Sequence, residues 1–378
     1  MQTMKHRVLG LGLVLIIASA PTPSHADEAA DKERVAIAIE TLSRLKGMDL
    51  EANPAVKKAV LKVLDAVKGT PQFVEIVRDF ELKDQAPALL DYAIDHPAET
   101  AGVEAMRIVL AGDTAPLKTA LENTNVVKLS GVVTVLGNTT EKSAVPFLSP
   151  VVSNTNAPAA VRKAGVDALA QTQDGAQVLL KLGKENTLPA DLKLAVASTL
   201  AGSRWPAIKS EAAQIFPPLQ GHDSRPLPPI AELVKMKGDP IKGAEVFRRE
   251  TVGCIKCHQV NGEGMDFGPT LSEIGTKLGR DAVFESILDP SAGISFGFEA
   301  WQIELKNGDE TFGIISSETA EEIAVKTQNG IATRYKKTDL AKREMQKLSI
   351  MPAGLQQAMS TQDLVDLVEY LTTLKKAK

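Results

Sequence analysis

Two cysteines and a histidine lie close together in the chain at Cys254, Cys257 and His258. Side chains of these types at this spacing can form covalent or metal–ligand bonds. They include the only cysteines among the 378 residues of the chain. Two thiols separated by two residues can each form a thioether to a vinyl group of one haem, and the adjacent imidazole can then reach the iron. The spacing therefore predicts one covalently attached c-type haem.

Three other roles for a cysteine pair compete with haem attachment. A zinc site needs two further ligands, commonly a second cysteine pair, and the chain has no other cysteine. A thioredoxin-type redox pair belongs at a helix start within a βαβ pattern, which the flanking sequence lacks. A disulfide across two residues would close a very small loop and stabilise little. Haem attachment is the favoured interpretation.

The composition favours a helical protein with a core of small aliphatic side chains. Hydrophobic residues make up 44% of the chain and aromatic residues only 4%, so Ala, Leu and Val must fill the core. The length allows two or three domains. The net charge of −4 comes without a basic stripe or charged run, which argues against nucleic acid or an anionic membrane as a partner.

Residues 1–26 are typical of a secretory signal peptide. Lys5 and Arg7 form a basic start, residues 8–20 form an apolar run, and the segment ending at Ala26 supplies the small residues of a cleavage site. About 13 apolar residues are short for a bilayer span, and no later segment is long and apolar enough. We expect cleavage after Ala26, a periplasmic or otherwise exported protein, and no membrane span in the mature chain.

Residues 27–217 predict a series of helices separated by short polar or Pro/Gly turns. Leu136, Leu169 and Leu200 belong to similar helical segments and are spaced 33 and 31 residues apart, as expected for stacked helix pairs. Segment 157–169 resembles a HEAT repeat, with a Pro-started helix that carries Val-Arg and then small residues. The resemblance implies an α-solenoid whose surface binds a protein partner; an ordinary helical bundle is the alternative.

Segment 218–238 is rich in proline and poor in periodicity, which predicts a semi-rigid linker. It contains His222, which we interpret as a solvated loop histidine rather than a ligand.

The second domain, residues 239–378, begins and ends with helices that can cross each other. Asp239 followed by proline is a good helix start. Gly243 and Phe247 share one face of that helix, where the glycine permits close approach of a partner. Ser360 and Asp363 predict a capping box for the last helix.

These terminal helices and the cysteine motif resemble class I cytochromes c. That family carries a Gly-Pro-x-Leu segment beyond the attachment site, and Pro269 matches its proline. The resemblance implies that the Pro269 carbonyl accepts a hydrogen bond from His258 and fixes its orientation. Segments 275–277, 287–292 and 349–355 resemble the Pirellula/Verrucomicrobium-type haem-binding domain, an enlarged cytochrome c domain often preceded by HEAT-like repeats.

The enlargement is an insertion at about residues 299–336, where the periodicity changes from helical to alternating. Asn-Gly pairs at 307–308 and 329–330 are flanked by strand-like runs and predict two β-hairpins. We expect them to form a small sheet beside the haem. Trp301, Tyr335 and Arg280 have the reach for the haem edge or a propionate, although packing or surface exposure is the favoured role of each.

The sixth iron ligand is predicted to be Met351. A methionine thioether opposite histidine raises the reduction potential of the iron. Met-Pro on an irregular loop before the last helix also matches the family's position for this ligand. Met345 and Met359 are rivals that we expect to pack in the core, and Met265 is too close to the proximal side.

The patterns together predict a mostly α protein. It would have an N-terminal HEAT-like α-solenoid and a C-terminal class I cytochrome c-like helical domain with a small β-hairpin insertion. The predicted function is one-electron transfer by an exported mono-haem c-type cytochrome, whose repeats dock a redox partner such as a dehydrogenase or another cytochrome. No substrate is transformed, so we do not expect an enzyme.

Two alternatives stay open at the level of sequence. One is a haem enzyme or gas sensor with a labile distal ligand, although the other histidines of the chain (His6, His25, His96 and His222) all lie outside the predicted haem domain. The second alternative is an interaction scaffold whose haem is structural.

Overall fold

The computed structural model describes residues 25–216, 227–249, 251–328 and 330–376. The described chain is mostly α-helical with one antiparallel sheet, which confirms the predicted fold class. It divides after Lys68 into two compact units. Most of the predicted signal peptide and the linker histidine His222 lie outside the described residues. Within the described part, no helix has the length and apolar character needed to cross a membrane.

The first unit contributes two helices that pack against each other, α1 (His25–Ser43) and α2 (Pro54–Ala66). Pro54 opens α2, where its fixed φ and missing N–H suit the first helical position. Val60 and Leu64 of α2 are buried one turn apart on the same face.

The second unit begins with a long run of short helices. Their bounds are α3 (Pro71–Asp79), α4 (Ala86–Asp95), α5 (Thr100–Ala111), α6 (Ala115–Leu121), α7 (Val126–Thr139), α8 (Val145–Ser153), α9 (Ala159–Leu169), α10 (Gln173–Lys184), α11 (Lys193–Ala201) and α12 (Pro206–Ile215). Contacts join each helix mainly to its near neighbours along the chain, as in the pairs α4–α5, α5–α7, α7–α9 and α11–α12. The helices predicted around Leu136, Leu169 and Leu200 are all present.

Helix α9 shows how this part of the chain packs. Arg162 is buried, and its guanidinium makes two hydrogen bonds of 3.0 and 2.7 Å to the carboxylate of Asp191. A Cβ added to Gly137 of α7 would lie 2.6 Å from the Cβ of Ala168. The glycine therefore lets α7 and α9 approach more closely than any larger residue would permit.

Five further helices build the C-terminal domain. Their bounds are α13 (Ile230–Leu233), α14 (Pro240–Arg248), α15 (Ile274–Lys277), α16 (Arg280–Leu288) and α17 (Thr361–Thr373). They enclose an apolar core in which Leu233, Phe247, Phe284 and Leu364 are buried. Leu233 belongs to the segment that the sequence assigns to the linker, so residues near α13 pack on the domain.

Helices α14 and α17 cross at Gly243. A Cβ there would lie 2.0 Å from the carbonyl oxygen of Asp366, so the crossing requires glycine. One turn further along, the ring of Phe247 packs 6.0 Å from the ring of Tyr370. The close crossing expected from the sequence is present.

The caps of these two helices also form as predicted. The Asp239 side chain accepts a hydrogen bond from the N–H of Ile241 at 2.9 Å, at the start of α14. Ser360 and Asp363 form the capping box of α17, with each side chain accepting from the backbone N–H of the other. Arg249 then joins the two helices through a bidentate ion pair with Asp363, at 3.2 and 3.0 Å.

The inserted sheet has five antiparallel strands in the order β4-β3-β2-β1-β5. Their bounds are β1 (Ala300–Leu305), β2 (Glu310–Glu318), β3 (Glu322–Lys326), β4 (Ala332–Lys336) and β5 (Leu340–Met345). The first predicted turn joins β1 to β2 with Gly308 at φ +86°, and the second joins β3 to β4, although its Asn329 lies outside the described residues. The sheet extends beyond residue 336, because β5 pairs with β1.

The sheet packs directly on the helical run within the second unit. Arg107 of α5 donates a hydrogen bond to the hydroxyl of Tyr335 on β4 at 2.8 Å, and its guanidinium lies 5.2 Å from the ring centroid. The backbone N–H of Lys142 donates to Asp309 at 3.3 Å, and its ammonium donates to the carbonyl oxygen of Asn307 at 3.3 Å. The helical run and the sheet are therefore joined by polar contacts.

Candidate haem-binding site

The Cys-x-x-Cys-His motif forms one tight turn. Gly253 has a φ of +82°, in the left-handed region that favours glycine, and a 3-10 helix follows at Cys254–Lys256. The N–H groups of Cys257 and His258 both donate to the carbonyl oxygen of Cys254, at 3.1 and 3.0 Å. The turn keeps both thiols and the imidazole on a short, hydrogen-bonded stretch of backbone.

The two thiols are partly buried and are not joined in a disulfide. Burial raises the pKa of Cys254 and of Cys257 to about 11, so both thiols are neutral near pH 7. A thioredoxin-type pair needs the opposite, a lowered pKa that supplies thiolate. The surroundings therefore argue against a redox pair and fit uncharged sulfur atoms.

His258 is oriented by the residue that the family resemblance implies. Its Nδ1 lies 2.8 Å from the carbonyl oxygen of Pro269. Because a carbonyl oxygen only accepts, Nδ1 carries the proton and Nε2 keeps its lone pair. Burial lowers the pKa of His258, against the opposing effect of the Pro269 hydrogen bond, so the ring is neutral at pH 7 and suited to bind a metal.

The segment that follows the motif folds back onto it. The N–H groups of Phe267 and Gly268 both donate to the carbonyl oxygen of Cys257, at 3.1 and 2.6 Å. A Cβ added to Gly268 would lie 2.7 Å from Cε1 of His258, so the glycine backbone lies directly against the imidazole ring. Gly268 was not predicted as a site residue, although it is the glycine of the Gly-Pro-x-Leu segment.

Met351 lies on the loop before the last helix and is partly buried against the apolar core that also contacts Cys254. Its backbone N–H donates to Ser349 Oγ at 3.2 Å, and the Ser349 N–H donates to Ser291 Oγ at 3.1 Å. The two serine contacts tie this loop to the segment after α16.

The rival methionines lie in different surroundings. Met359 is 4% exposed and belongs to the core, as expected. Met345 is 56% exposed on β5, so the expectation that it packs in the core is wrong. Met345 is the last residue of the outer strand β5, whose other side chains are largely exposed. Few neighbouring side chains therefore cover it. Met265 is 39% exposed.

The three side chains considered for the haem edge have structural partners. Trp301 stacks with Arg343, whose guanidinium lies 5.6 Å from the ring centroid. Arg280 pairs with Glu369 and donates to the carbonyl oxygen of Met236 at 2.9 Å. Tyr335 binds Arg107 at the contact with the helical run. Packing is the role of all three, which was the favoured interpretation.

The inserted sheet reaches the site through the turn between β3 and β4. Lys326 Nζ lies 2.7 Å from Asp266 Oδ2. This contact could not be predicted from the sequence, because Lys326 and Asp266 lie 60 positions apart along the chain.

Comparison with known proteins shows that this part of the chain is similar to cytochrome c. Residues 240–303 match the family model for cytochrome c, and no curated protein matches the chain. The matched range holds Cys254, Cys257, His258 and Pro269, whereas Met351 lies beyond it. A cytochrome c domain indicates a haem-binding electron-transfer protein with covalently attached haem c and iron.

The side chains and backbone of this site fit a covalently attached haem. The cysteines offer neutral, unpaired sulfur atoms, and His258 has its Nε2 lone pair available. Gly268 leaves no side chain over the imidazole, which a Cβ would contact at 2.7 Å. The apolar core around Cys254 and Met351 supplies surroundings that exclude water.

Proposed function

We propose that this protein is an exported mono-haem c-type cytochrome that transfers single electrons and transforms no substrate. The hydrogen bond of 2.8 Å between His258 Nδ1 and the Pro269 carbonyl carries the proposal, because it presents Nε2 as a proximal ligand. Cys254 and Cys257 would tether the haem, and Met351 would be the sixth ligand. One haem follows from the presence of only two cysteines.

When bound, the haem supplies an iron that cycles between the ferric and ferrous states. The residues of the chain hold and tune it. Pro269 fixes the imidazole proton at Nδ1, which makes His258 a stronger ligand. Burial of the cysteines and of the adjoining core removes water from the site, and a methionine ligand favours the ferrous state. No general acid or base is needed for this reaction.

The remaining parts of the proposal concern location and partner. The basic, apolar and small-residue pattern of residues 1–26 supports export. The run of short helices, packed mainly between near neighbours, supports a HEAT-like α-solenoid that docks a redox partner such as a dehydrogenase or another cytochrome. The order of motifs supports the Pirellula/Verrucomicrobium-type domain.

The test is a visible spectrum and redox titration of the full-length protein purified from the exported fraction. We expect covalently bound haem, a low-spin six-coordinate ferrous spectrum and a reversible one-electron couple. Binding of carbon monoxide to the ferrous protein would instead indicate the haem enzyme or gas sensor with a labile distal ligand. A haem that exchanges electrons with no soluble mediator would indicate the structural haem of a scaffold.

A further inference from the structure

The end of β3 and the turn after it contact the segment that follows the haem motif at two points. Lys326, the last residue of β3, forms its ion pair with Asp266 at 2.7 Å. A Cβ added to Gly330 would lie 3.5 Å from the carbonyl oxygen of Asp266. One turn of the inserted sheet thus lies along the proximal side of the site.

Asp266 stands at the start of the residues that orient the histidine. Gly268 packs on the imidazole, and Pro269 accepts its hydrogen bond. Beyond them, the Leu271 N–H donates to the carbonyl oxygen of Gln259 at 2.8 Å, which anchors the far end of the segment. At the near end, the Lys326–Asp266 ion pair adds a side-chain contact to the hydrogen bonds that the Phe267 and Gly268 N–H groups make to the Cys257 carbonyl oxygen.

We propose that Lys326 is a positioning residue for His258. Through Asp266 it holds segment 266–269 so that the Pro269 carbonyl stays against the imidazole. The inference rests on the proposed haem function. A firmer Nδ1–H···O bond makes the imidazole more basic, and a more basic ligand favours ferric iron, so the ion pair lowers the reduction potential.

Positioning and simple charge effects predict different signs. Lys326→Met and Asp266→Asn both break the ion pair, so positioning predicts that both raise the midpoint potential. If the two side chains acted only by their charges, losing the lysine would lower the potential and losing the aspartate would raise it. The lysine variant therefore separates the two explanations.

Both variants should remain folded. Asp266 is 71% exposed, although Lys326 is only 22% exposed, and a pair open to water on one side contributes at most about 1 kcal/mol to folding. Asp266→Asn also keeps the shape of the side chain, so it provides a second measurement if Lys326→Met is poorly produced.

The experiment is a redox titration of the full-length holoprotein and both variants, together with hydrogen exchange of the amides of residues 267 and 268. We expect a higher midpoint potential and faster exchange in both variants. Lys337→Met is the matched control, since Lys337 follows β4 directly and pairs with Glu318 of β2 at 2.6 Å. It should change neither measurement beyond the effect of one lost charge.

Two results would overturn the inference. One is a lowered potential in Lys326→Met beside a raised potential in Asp266→Asn, and the other is unchanged potential and exchange in both. Failure of the proposed function looks different, because the wild-type protein would then lack covalent haem or a reversible couple. Hydrogen exchange at residues 267 and 268 would still report on the ion pair in that case.

Discussion

His258 depends on two neighbouring residues that act in different ways. Pro269 holds the proton of the imidazole in place through its carbonyl oxygen, at 2.8 Å from Nδ1. Gly268 lets the backbone pack directly against the imidazole ring, because a side chain at this position would collide with the ring. The orientation of the histidine is thus set by backbone atoms, which are fixed more firmly than a side chain would be.

Gly268→Ala tests this arrangement. The new Cβ would lie 2.7 Å from Cε1 of His258, so the ring must shift and its bond to Pro269 must lengthen. We expect a loss of stability of about 1–3 kcal/mol and a changed low-spin spectrum. Gly293→Ala is the control, because nothing lies within 4 Å of a Cβ at that position. Equal spectra and stabilities for the two variants would contradict the prediction.

Met351→Ala tests the proposal that Met351 is the distal ligand. Without a thioether the ferrous iron should become five-coordinate and bind carbon monoxide, and the midpoint potential should fall because the methionine stabilises the ferrous state. Absorption spectra with and without carbon monoxide provide the measurement. Met345→Ala, at an exposed position on β5, should behave as the wild type. An unchanged spectrum in Met351→Ala would assign the ligand to another residue.

At the level of elements, the crossing of α14 and α17 is held by close backbone packing at Gly243, by the contact of Phe247 with Tyr370, and by an ion pair at its edge. The Arg249 guanidinium lowers the pKa of Asp363 from 3.8 to about 2. Because the folded-state pKa lies below the unfolded one, the carboxylate contributes stability that is present above about pH 4. That contribution is lost as the pH falls from about 4 towards 2.

Asp363→Asn should therefore remove both the stability and its pH dependence. We expect a loss on the order of 1–2 kcal/mol at pH 7, since the side chain keeps 23% exposure. Denaturant unfolding of the holoprotein between pH 2 and 7 checks this. The variant should lose less stability than the wild type on acidification, and parallel curves would refute the assignment to Asp363.

The elements that the sequence predicts well are those specified by nearby residues. The cysteine motif, the Pro-started helices, the capping box at Ser360 and the turn at Gly308 each depend on a few adjacent positions. Strand β5 is different, because its side chains are mostly exposed and show no alternation for a pattern to detect. Its place is set by pairing with β1, which lies about 40 residues earlier.

The same reason explains which contacts could not be predicted. Tyr335 and its partner Arg107 are 228 residues apart, and Lys326 and Asp266 are 60 apart. A lysine on a strand or a tyrosine at its end is ordinary in sequence, and only the folded chain supplies its partner. Cys254, Cys257 and His258 could be identified beforehand because their chemistry requires them to be adjacent.

At the scale of the molecule, the sheet connects the helical run to the haem domain. The largely buried Arg107 contacts Tyr335 on one side of this connection, and Lys326 contacts the haem segment on another. Residues 69–378 accordingly form one compact unit. Residues 69–216, which belong to the region that we propose to dock a partner, are thus held at a fixed place relative to the candidate haem site.

Tyr335→Phe tests whether these parts unfold together. The change keeps the ring under Arg107 but removes the hydroxyl that accepts its hydrogen bond, which should cost about 1–3 kcal/mol. Thermal unfolding followed by haem absorbance and by far-ultraviolet circular dichroism should shift by the same amount. A shift in the haem signal alone would show that the helical run folds independently.

The contact between Arg107 and Tyr335 also constrains the order of events during synthesis. Arg107 of helix α5 is synthesised 228 residues before Tyr335 of β4. Arg107 therefore lacks this hydrogen-bond partner while the intervening chain is made. The haem motif at 254–258 also appears before β4 exists. Native contacts of such long separation form late, and an unfinished chain exposes apolar surface meanwhile. The contact that joins the helical run to the sheet can therefore form only after β4 has been made.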